Sequence, residues 1–263
     1  MRDATLCILM ASLLGCAGSA PRETAKAPPG ADLVVATYNV NFGLAGDPAT
    51  LAAIRETGAD VVLLQETTPA WEAVIRRALA RRYRHIEFRH DKWPAGGVGF
   101  LSRHPLEQIE ASPSPIGFFP AWRVVVRTPA GPVQLINLHL KPPVSRSGSY
   151  VSGYFTTPPE REREVKGHLA LVKPELPTMV LGDFNESRGG GLSVLRKHRF
   201  RDALSRSSAP TWRWRVGPFT LRGKLDHIVY DPRQLECLEA RVLDAGRSDH
   251  LPVVARFRVR RGG

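Results

Sequence analysis

Short apolar runs that each end in polar residues restrict this chain more than any other feature. Leu33-Val34-Val35-Ala36-Thr37-Tyr38-Asn39-Val40, Asp60-Val61-Val62-Leu63-Leu64-Gln65-Glu66 and Thr178-Met179-Val180-Leu181-Gly182-Asp183-Phe184-Asn185 are β-branched and aliphatic over most of their length. They do not alternate polar with apolar, so they read as strands buried on both faces. Residues two apart on a strand share a face, so Asn39 with Asn41, and Asp183 with Asn185, project together from a strand exit. Carboxyl ends of sheets are where ligand-binding groups usually sit. Taken alone, Gly182-Asp183-Phe184-Asn185 also fits a simple turn, because Gly, Asp and Asn are turn residues.

Helical patterns separate these runs. Asp47 as cap and Pro48 at the first helical position predict a helix over Pro48 to Glu56, stopped by Gly58. Pro69 opens a second, Trp71 to Arg82, whose Trp71, Val74, Ile75, Ala78 and Leu79 form one stripe. The middle of the chain reads as strands at Tyr83 to Phe88, Gly97 to Ser102, Ala121 to Thr128 and Pro132 to Leu140, the last bringing His139 to its exit. Pro143 to Pro159 has no period and reads as a long functional or mobile loop. A helix from Pro159 to Val172 follows, then a short one around Leu192 to Lys197, and strands at Leu225 to Tyr230, Leu238 to Leu243 and Pro252 to Val259. There are no internal repeats, and 263 residues suffice for one large α/β domain over residues 32–260.

The N-terminus reads as targeting sequence. Leu6 to Leu14 is apolar but too short to span a bilayer. It leads into Leu13-Leu14-Gly15-Cys16, which resembles a bacterial lipobox and makes Cys16 the expected lipid acceptor of a 1–16 signal. Ala17 to Ala20 also fits conventional cleavage. Export to the cell envelope, lipid-anchored or secreted, is expected in either case, with residues 17–31 as a flexible tether. Only Cys237 then remains in the folded body, which excludes an internal disulfide and a cysteine metal cage.

Read together, the strand exits carry Asn39 and Asn41, Glu66, His139, Asp183 and Asn185, and Asp226, and the Asp249-His250 loop joins them. The chain resembles the endonuclease/exonuclease/phosphatase superfamily of deoxyribonuclease I-like enzymes. The resemblance rests on Thr37-Tyr38-Asn39-Val40-Asn41, Leu64-Gln65-Glu66, Gly97 to Arg103, Asn137-Leu138-His139-Leu140, Gly182-Asp183-Phe184-Asn185, Leu225-Asp226-His227-Ile228 and Ser248-Asp249-His250-Leu251-Pro252. It implies an α/β fold, a four-layer α/β/β/α sandwich of two mixed sheets flanked by helices, with the site at one rim. It further implies Mg²⁺, with Mn²⁺ or Ca²⁺ as alternatives, held by Glu66 with Asn41 and Asp249. By the same resemblance Asp183 activates water, Asn185 and Asn39 hold water and phosphate, and His139 and His250 face the phosphoryl group while Asp226 orients His250. Asn41 stands where some relatives carry Asp, which removes one negative charge from the metal sphere.

Substrate is the open question. The abasic-site repair signature Tyr-x-Pro-Asn and the inositol phosphatase motif Pro-x-Trp-Cys-Asp-Arg are absent; Pro120-Ala121-Trp122-Arg123 is a superficial echo of the latter. With 37 Lys+Arg against 25 Asp+Glu, net +12, the chain favours polyanionic partners. The clusters Arg81, Arg82 and Arg84, and Arg196 to Arg201, with Arg213 and Arg215, tilt the expectation toward a monomeric nuclease acting on DNA or RNA. Arg103, Arg123 and Trp212 are expected as substrate contacts, the tryptophan either stacking a base or packing as half-buried strand. The alternative is an envelope phosphoesterase acting on phospholipid, as sphingomyelinases do, or on a small phosphorylated molecule. For lipid entry Ile116-Gly117-Phe118-Phe119-Pro120 is the candidate apolar segment. A catalytically inactive binding module is the third reading, against which stands the retention of every acid and both histidines.

Overall fold

The computed structural model describes residues 32–260. The expected signal, Cys16 and the tether lie outside the described residues. Fourteen strands and five α-helices are arranged in four layers with a separate hairpin.

The first sheet is built from the N- and C-terminal parts of the domain. β1 (Leu33–Asn39) runs parallel to β2 (Val61–Gln65), and the order is β13-β14-β1-β2-β4-β3. Here β3 is His85–Arg89, β4 Val98–Ser102, β13 Leu235–Val242 and β14 Val253–Val259. Its outer face carries α1 (Pro48–Glu56) and α2 (Pro69–Leu79). The side chain of Asp47 accepts from Thr50 N, as its sequence position predicts, and Thr68 caps α2. Trp71, Ile75 and Leu79 are the buried stripe of α2.

The second sheet has the order β5-β6-β7-β8-β12-β9. It comprises β5 (Leu106–Ser112), β6 (Ala121–Thr128), β7 (Gly131–His139), β8 (Thr178–Asp183), β9 (Arg201–Asp202) and β12 (Asp226–Tyr230). Its outer face carries α4 (Pro158–His168) and α5 (Gly190–Lys197). The two sheets meet in a dry layer that includes Val35, Leu63, Phe100, Val124, Leu135, Met179, Leu181 and Ile228. Residues alternating with these face the helices, so the central strands β1, β2, β7 and β8 are buried on both sides and their runs are apolar.

One expectation is corrected here, and one element was not anticipated. The aperiodic segment after Pro143 contains a short helix, α3 (Tyr150–Thr156), capped by Ser149. Trp212–Val216 and Phe219–Gly223 form an isolated antiparallel hairpin, β10-β11, which is linked to the Asp249-His250 loop by Arg213 N donating to Asp249 O at 2.8 Å. Among the described residues no helix is long and apolar enough to cross a membrane.

Parallel pairing of β1 with β2 and of β7 with β8 brings the carboxyl ends of these strands to one rim. Gly182 makes the β7–β8 approach: its φ is +143°, and a Cβ there would lie 1.9 Å from Leu138 O. No side chain fits that space.

Candidate active site

Three residues that leave the strands at this rim adopt left-handed backbone: Asn41 (φ 61°), Glu66 (φ 58°) and Asn185 (φ 53°). Such conformations persist in non-glycine residues where the surroundings impose them, and they concentrate at functional sites. Trp71 Nε1, from α2, fixes the first of them by donating to Asn41 O at 3.0 Å.

Asp183 lies at the centre. Its Oδ1 accepts from Asn185 N at 2.8 Å, while Oδ2 accepts from Asn39 Nδ2 at 3.2 Å and lies 3.6 Å from both His139 Nε2 and His250 Nε2. Asn39 Nδ2 also donates to Glu66 Oε1 at 3.0 Å, so one amide group bridges two carboxylates. Asn185 spends its Nδ2 on Leu140 O at 2.9 Å, which turns its side-chain oxygen to the pocket.

The two histidines are oriented differently. His139 Nδ1 lies 2.9 Å from Ala95 O, and because a carbonyl can only accept, the proton sits on Nδ1 and Nε2 faces Asp183 and Glu66. Phe119 covers the ring at 4.7 Å between centroids. His250 Nδ1 pairs with the wholly buried Asp226 Oδ2 at 2.8 Å. Burial opposes its charge, but the Asp226 and Asp183 carboxylates outweigh that and push the imidazole up to about 10. His250 is therefore held as an imidazolium between two acids.

The oxygen-rich side of the site suits a hard cation. Glu66 keeps 17% side-chain exposure at the pocket wall, accepting from Asn39 and, at 3.3 Å, from Phe42 N. A partly open carboxylate with room for water and phosphate oxygens is what Mg²⁺ requires. Asn41 and Asp249 stand nearby but are bonded to each other, Nδ2 to Oδ1 at 3.0 Å, and Asp249 Oδ2 accepts from Trp212 Nε1 at 3.0 Å. Ligand-capable atoms of Asp183, Asp226 and His250 also lie within 4.8 Å of one another. The His250 imidazolium disfavours a cation inside that trio, so Glu66 is the better-placed carboxylate.

A cavity of about 700 Å³ opens beside these groups. Trp212, Trp214, Leu221, Tyr150, Tyr154 and Phe119 supply much of its wall. Trp212, Trp214 and Tyr150 form a ladder, with centroid separations of 6.3 and 5.9 Å.

Two expected substrate contacts are not in this site. Arg103 donates to Asp60 Oδ1 at 3.0 Å, at the opposite end of β2, roughly 20 Å along the strand from Glu66. Arg123 is fully buried in the second sheet, its Nη2 2.8 Å from Glu110 Oε1 and 3.2 Å from Gln108 Oε1. It faces away from the layer between the sheets, because its neighbours Trp122 and Val124 occupy that layer. Two of the three basic clusters are also displaced, whereas Arg213 and Arg215 sit on the β10-β11 hairpin beside the cavity. Strand register puts Arg84, beside His85, and Arg201, paired with Tyr230, at the rim remote from Asp183.

Sequence reasoning missed the groups that brace the rim. Arg161 and Glu186 form a buried ion pair at 2.9 Å beneath the Asp183–Asn185 turn, and Gln65 Nε2 donates across the sheets to Asn137 Oδ1 at 2.6 Å. A polar side chain in an otherwise apolar stretch, such as Gln65, is the signal that points to such links.

Two stacked sheets thus present amides, acids and two histidines at one end. The chain belongs to the endonuclease/exonuclease/phosphatase family, whose model matches residues 36–250. Enzymes of that family are divalent-cation-dependent phosphoester hydrolases. Among solved structures, an endonuclease/exonuclease/phosphatase from Beutenbergia cavernae is 22% identical, with TM-score 0.69 over 87% of this chain and 72% of that one. D. rerio TDP2 complexed with single-strand DNA product is 18% identical, TM-score 0.66, over 86% and 99%. ANGEL2, a 2′,3′-cyclic phosphatase, in complex with adenosine-2′,3′-vanadate, is 15% identical, TM-score 0.66, over 87% and 96%. These similarities show the fold, the four-layer sandwich expected above. No curated protein sequence matches the chain.

Proposed function

We propose that the protein hydrolyses phosphodiesters by direct attack of water on phosphorus, and that the group beside the scissile phosphate is bulky and apolar, as in a phospholipid. The observation that carries the chemistry is the junction at Asp183 Oδ2, which lies 3.6 Å from each histidine and 3.2 Å from the Asn39 amide. Asp183 takes a proton from the attacking water, held by Asn39 and the side-chain oxygen of Asn185. As the water oxygen bonds to phosphorus and the ester P–O bond breaks, the departing oxygen receives the Nε2 proton of the His250 imidazolium. Asp226 keeps that ring in position. His139 Nε2 faces the phosphoryl oxygens from the other side. Glu66, with Asn41 and Asp249 behind it, would hold the divalent cation, which when bound offsets charge on the phosphate oxygens.

The substrate reading rests on the walls. Alkyl and aromatic side chains supply much of the cavity wall next to the acids, while two of the three arginine clusters behind the nucleic-acid expectation, those of Arg84 and Arg201, lie at the remote rim. Nucleic acid is the second reading, favoured by the Trp212–Trp214–Tyr150 ladder, which can stack bases. The test incubates the purified chain and its Asp183→Asn and Glu66→Gln variants with bis(p-nitrophenyl) phosphate, phosphatidylcholine vesicles and supercoiled plasmid, in Mg²⁺ and in EDTA. Each substitution and chelation should lower turnover by about 10²-fold or more. Turnover that survives them sinks the mechanism; plasmid nicking without lipid cleavage replaces the first substrate reading with the second.

A further inference from the structure

The exposed apolar surface of this protein is not scattered. Among the described residues, every large hydrophobic side chain that is more than a third exposed, except Leu238, lies on a segment that lines the cavity or adjoins a residue of the site. Two elements carry most of it. On α3, Tyr150, Val151 and Phe155 are 55, 76 and 75% exposed. The helix is turned this way because Gly153 seats its other face: a Cβ there would lie 2.2 Å from Pro143 O. On the hairpin, Trp214, Phe219 and Leu221 are 44, 72 and 49% exposed.

The hairpin is two-faced by register. Trp214 pairs with Leu221 and lies on one face with Phe219, while Arg213 with Arg222 and Arg215 with Thr220 occupy the other. Arg213 is paired with Asp244, whereas Arg215 and Arg222 are exposed and make no ion pair among the described residues. An isolated two-stranded hairpin is marginal in water, and this one presents hydrocarbon outward.

We infer that α3 and β10-β11 form a docking face for a lipid bilayer with anionic headgroups, which presents the catalytic rim to the membrane surface; this rests on the phospholipid reading above. Val151, Phe155, Phe219 and Leu221 have no polar handle, so burial in hydrocarbon suits them better than stacking on bases. Trp214 and Tyr150 combine an apolar ring with a hydrogen-bonding tip, the chemistry of the headgroup boundary. Arg215 and Arg222 extend from the opposite face of the same ribbon, where long side chains reach headgroup phosphates while their stems stay apolar. The net charge of +12 has the matching sign.

The test is co-sedimentation of the full chain, with Cys16→Ser to remove the expected lipid acceptor, with vesicles of phosphatidylcholine alone or mixed with phosphatidylglycerol. Binding to the mixed vesicles should exceed binding to the neutral ones. It should fall by about tenfold or more in Phe155→Ser/Phe219→Ser, and separately in Arg215→Glu/Arg222→Glu at low salt. Circular dichroism identifies any variant that fails to fold, and the two variants perturb the face independently. Equal binding by the unsubstituted face and both variants, no binding to mixed vesicles, or loss in the variants of binding to a single-stranded oligonucleotide instead of vesicles, overturns the proposal. Hydrolysis of soluble bis(p-nitrophenyl) phosphate by the same preparation separates the two readings, since a protein that turns it over without binding vesicles is a hydrolase lacking this face.

Discussion

Removing Arg161 tests how the rim is held. Its Nε donates to Glu186 Oε2 at 2.9 Å, and Nη1 donates to Thr157 Oγ1 at 2.8 Å and Lys141 O at 3.3 Å. Glu186 Oε1 in turn accepts from Leu192 N at 2.8 Å, and its backbone oxygen lies 3.0 Å from His227 Nε2. One guanidinium therefore ties α4 to the β7 exit and to the turn that carries Asp183 and Asn185. Both members of the ion pair are buried, at 1 and 2% exposure. Taking one partner from a buried pair costs about 3–5 kcal/mol, because the other charge is left in an apolar environment. For a domain of this size that lowers Tm by roughly 10 °C or more. The loss depends on pH. Burial already raises the Glu186 carboxyl above its usual range, with Arg161 acting in the opposite direction. Without Arg161 the folded-state value rises further, so between the unfolded and folded values the native state binds more protons than the unfolded chain. Stability then falls as pH rises. Arg161→Met should thus be closer to wild type at pH 5 than at pH 8, read by thermal circular dichroism at both. In the double variant with Glu186→Gln, the losses should be less than additive. A Tm within about 2 °C of wild type at pH 8, or strictly additive losses, would refute the account.

Three further outcomes are expected. His168 is buried and pushed down to about 4 by burial alone, so the unfolded chain binds the extra proton between pH 6.5 and 4 and the native state loses stability as pH falls through that window. His168→Gln should recover roughly 3 kcal/mol at pH 4 relative to its difference from wild type at pH 7, measured by urea unfolding, and a pH-independent difference would contradict the assignment. Gly182→Ala drives a Cβ into Leu138 O and should yield insoluble protein or a Tm lowered by about 10 °C or more; a normally stable variant would show that β7 and β8 can separate. In Asp226→Asn the His250 ring loses its main charge partner, so its NMR-detected pKa should fall from about 10, and hydrolysis should drop by about 10²–10⁴-fold. An unchanged histidine titration would show that Asp183 alone sets its charge.

Much of the fold was legible locally. Asp47 with Pro48 marks the start of α1, and the apolar runs mark β1, β2 and β8, because a strand buried on both faces cannot alternate. β5 escaped: Leu106–Ser112 is an edge strand of mixed polarity with a register shift between Glu107 and Glu110, so neither period is clear. α3 escaped because Tyr-Val-Ser-Gly-Tyr-Phe-Thr carries its apolar residues toward solvent, where no buried stripe forms. Arg123 was misread because an arginine suggests exposure, and only the facing Gln108 and Glu110 make its burial tolerable.

By itself the sequence determined that several twice-buried strands exist and which polar residues leave them. Tertiary structure alone decided which of those exits share a rim. Asn39 meets Asp183 across 144 residues and Asn41 meets Asp249 across 208, distances in the chain over which no local pattern acts. It also decided that the arginine clusters around Arg84 and Arg201 lie at the far rim while Arg213, Arg215 and Arg222 sit on the hairpin beside the site, and that hydrocarbon gathers around it. The physical reason is that period and propensity act over a few residues. Sheet register and layer packing, which assign an end and a face to every strand, are settled only when the whole core closes.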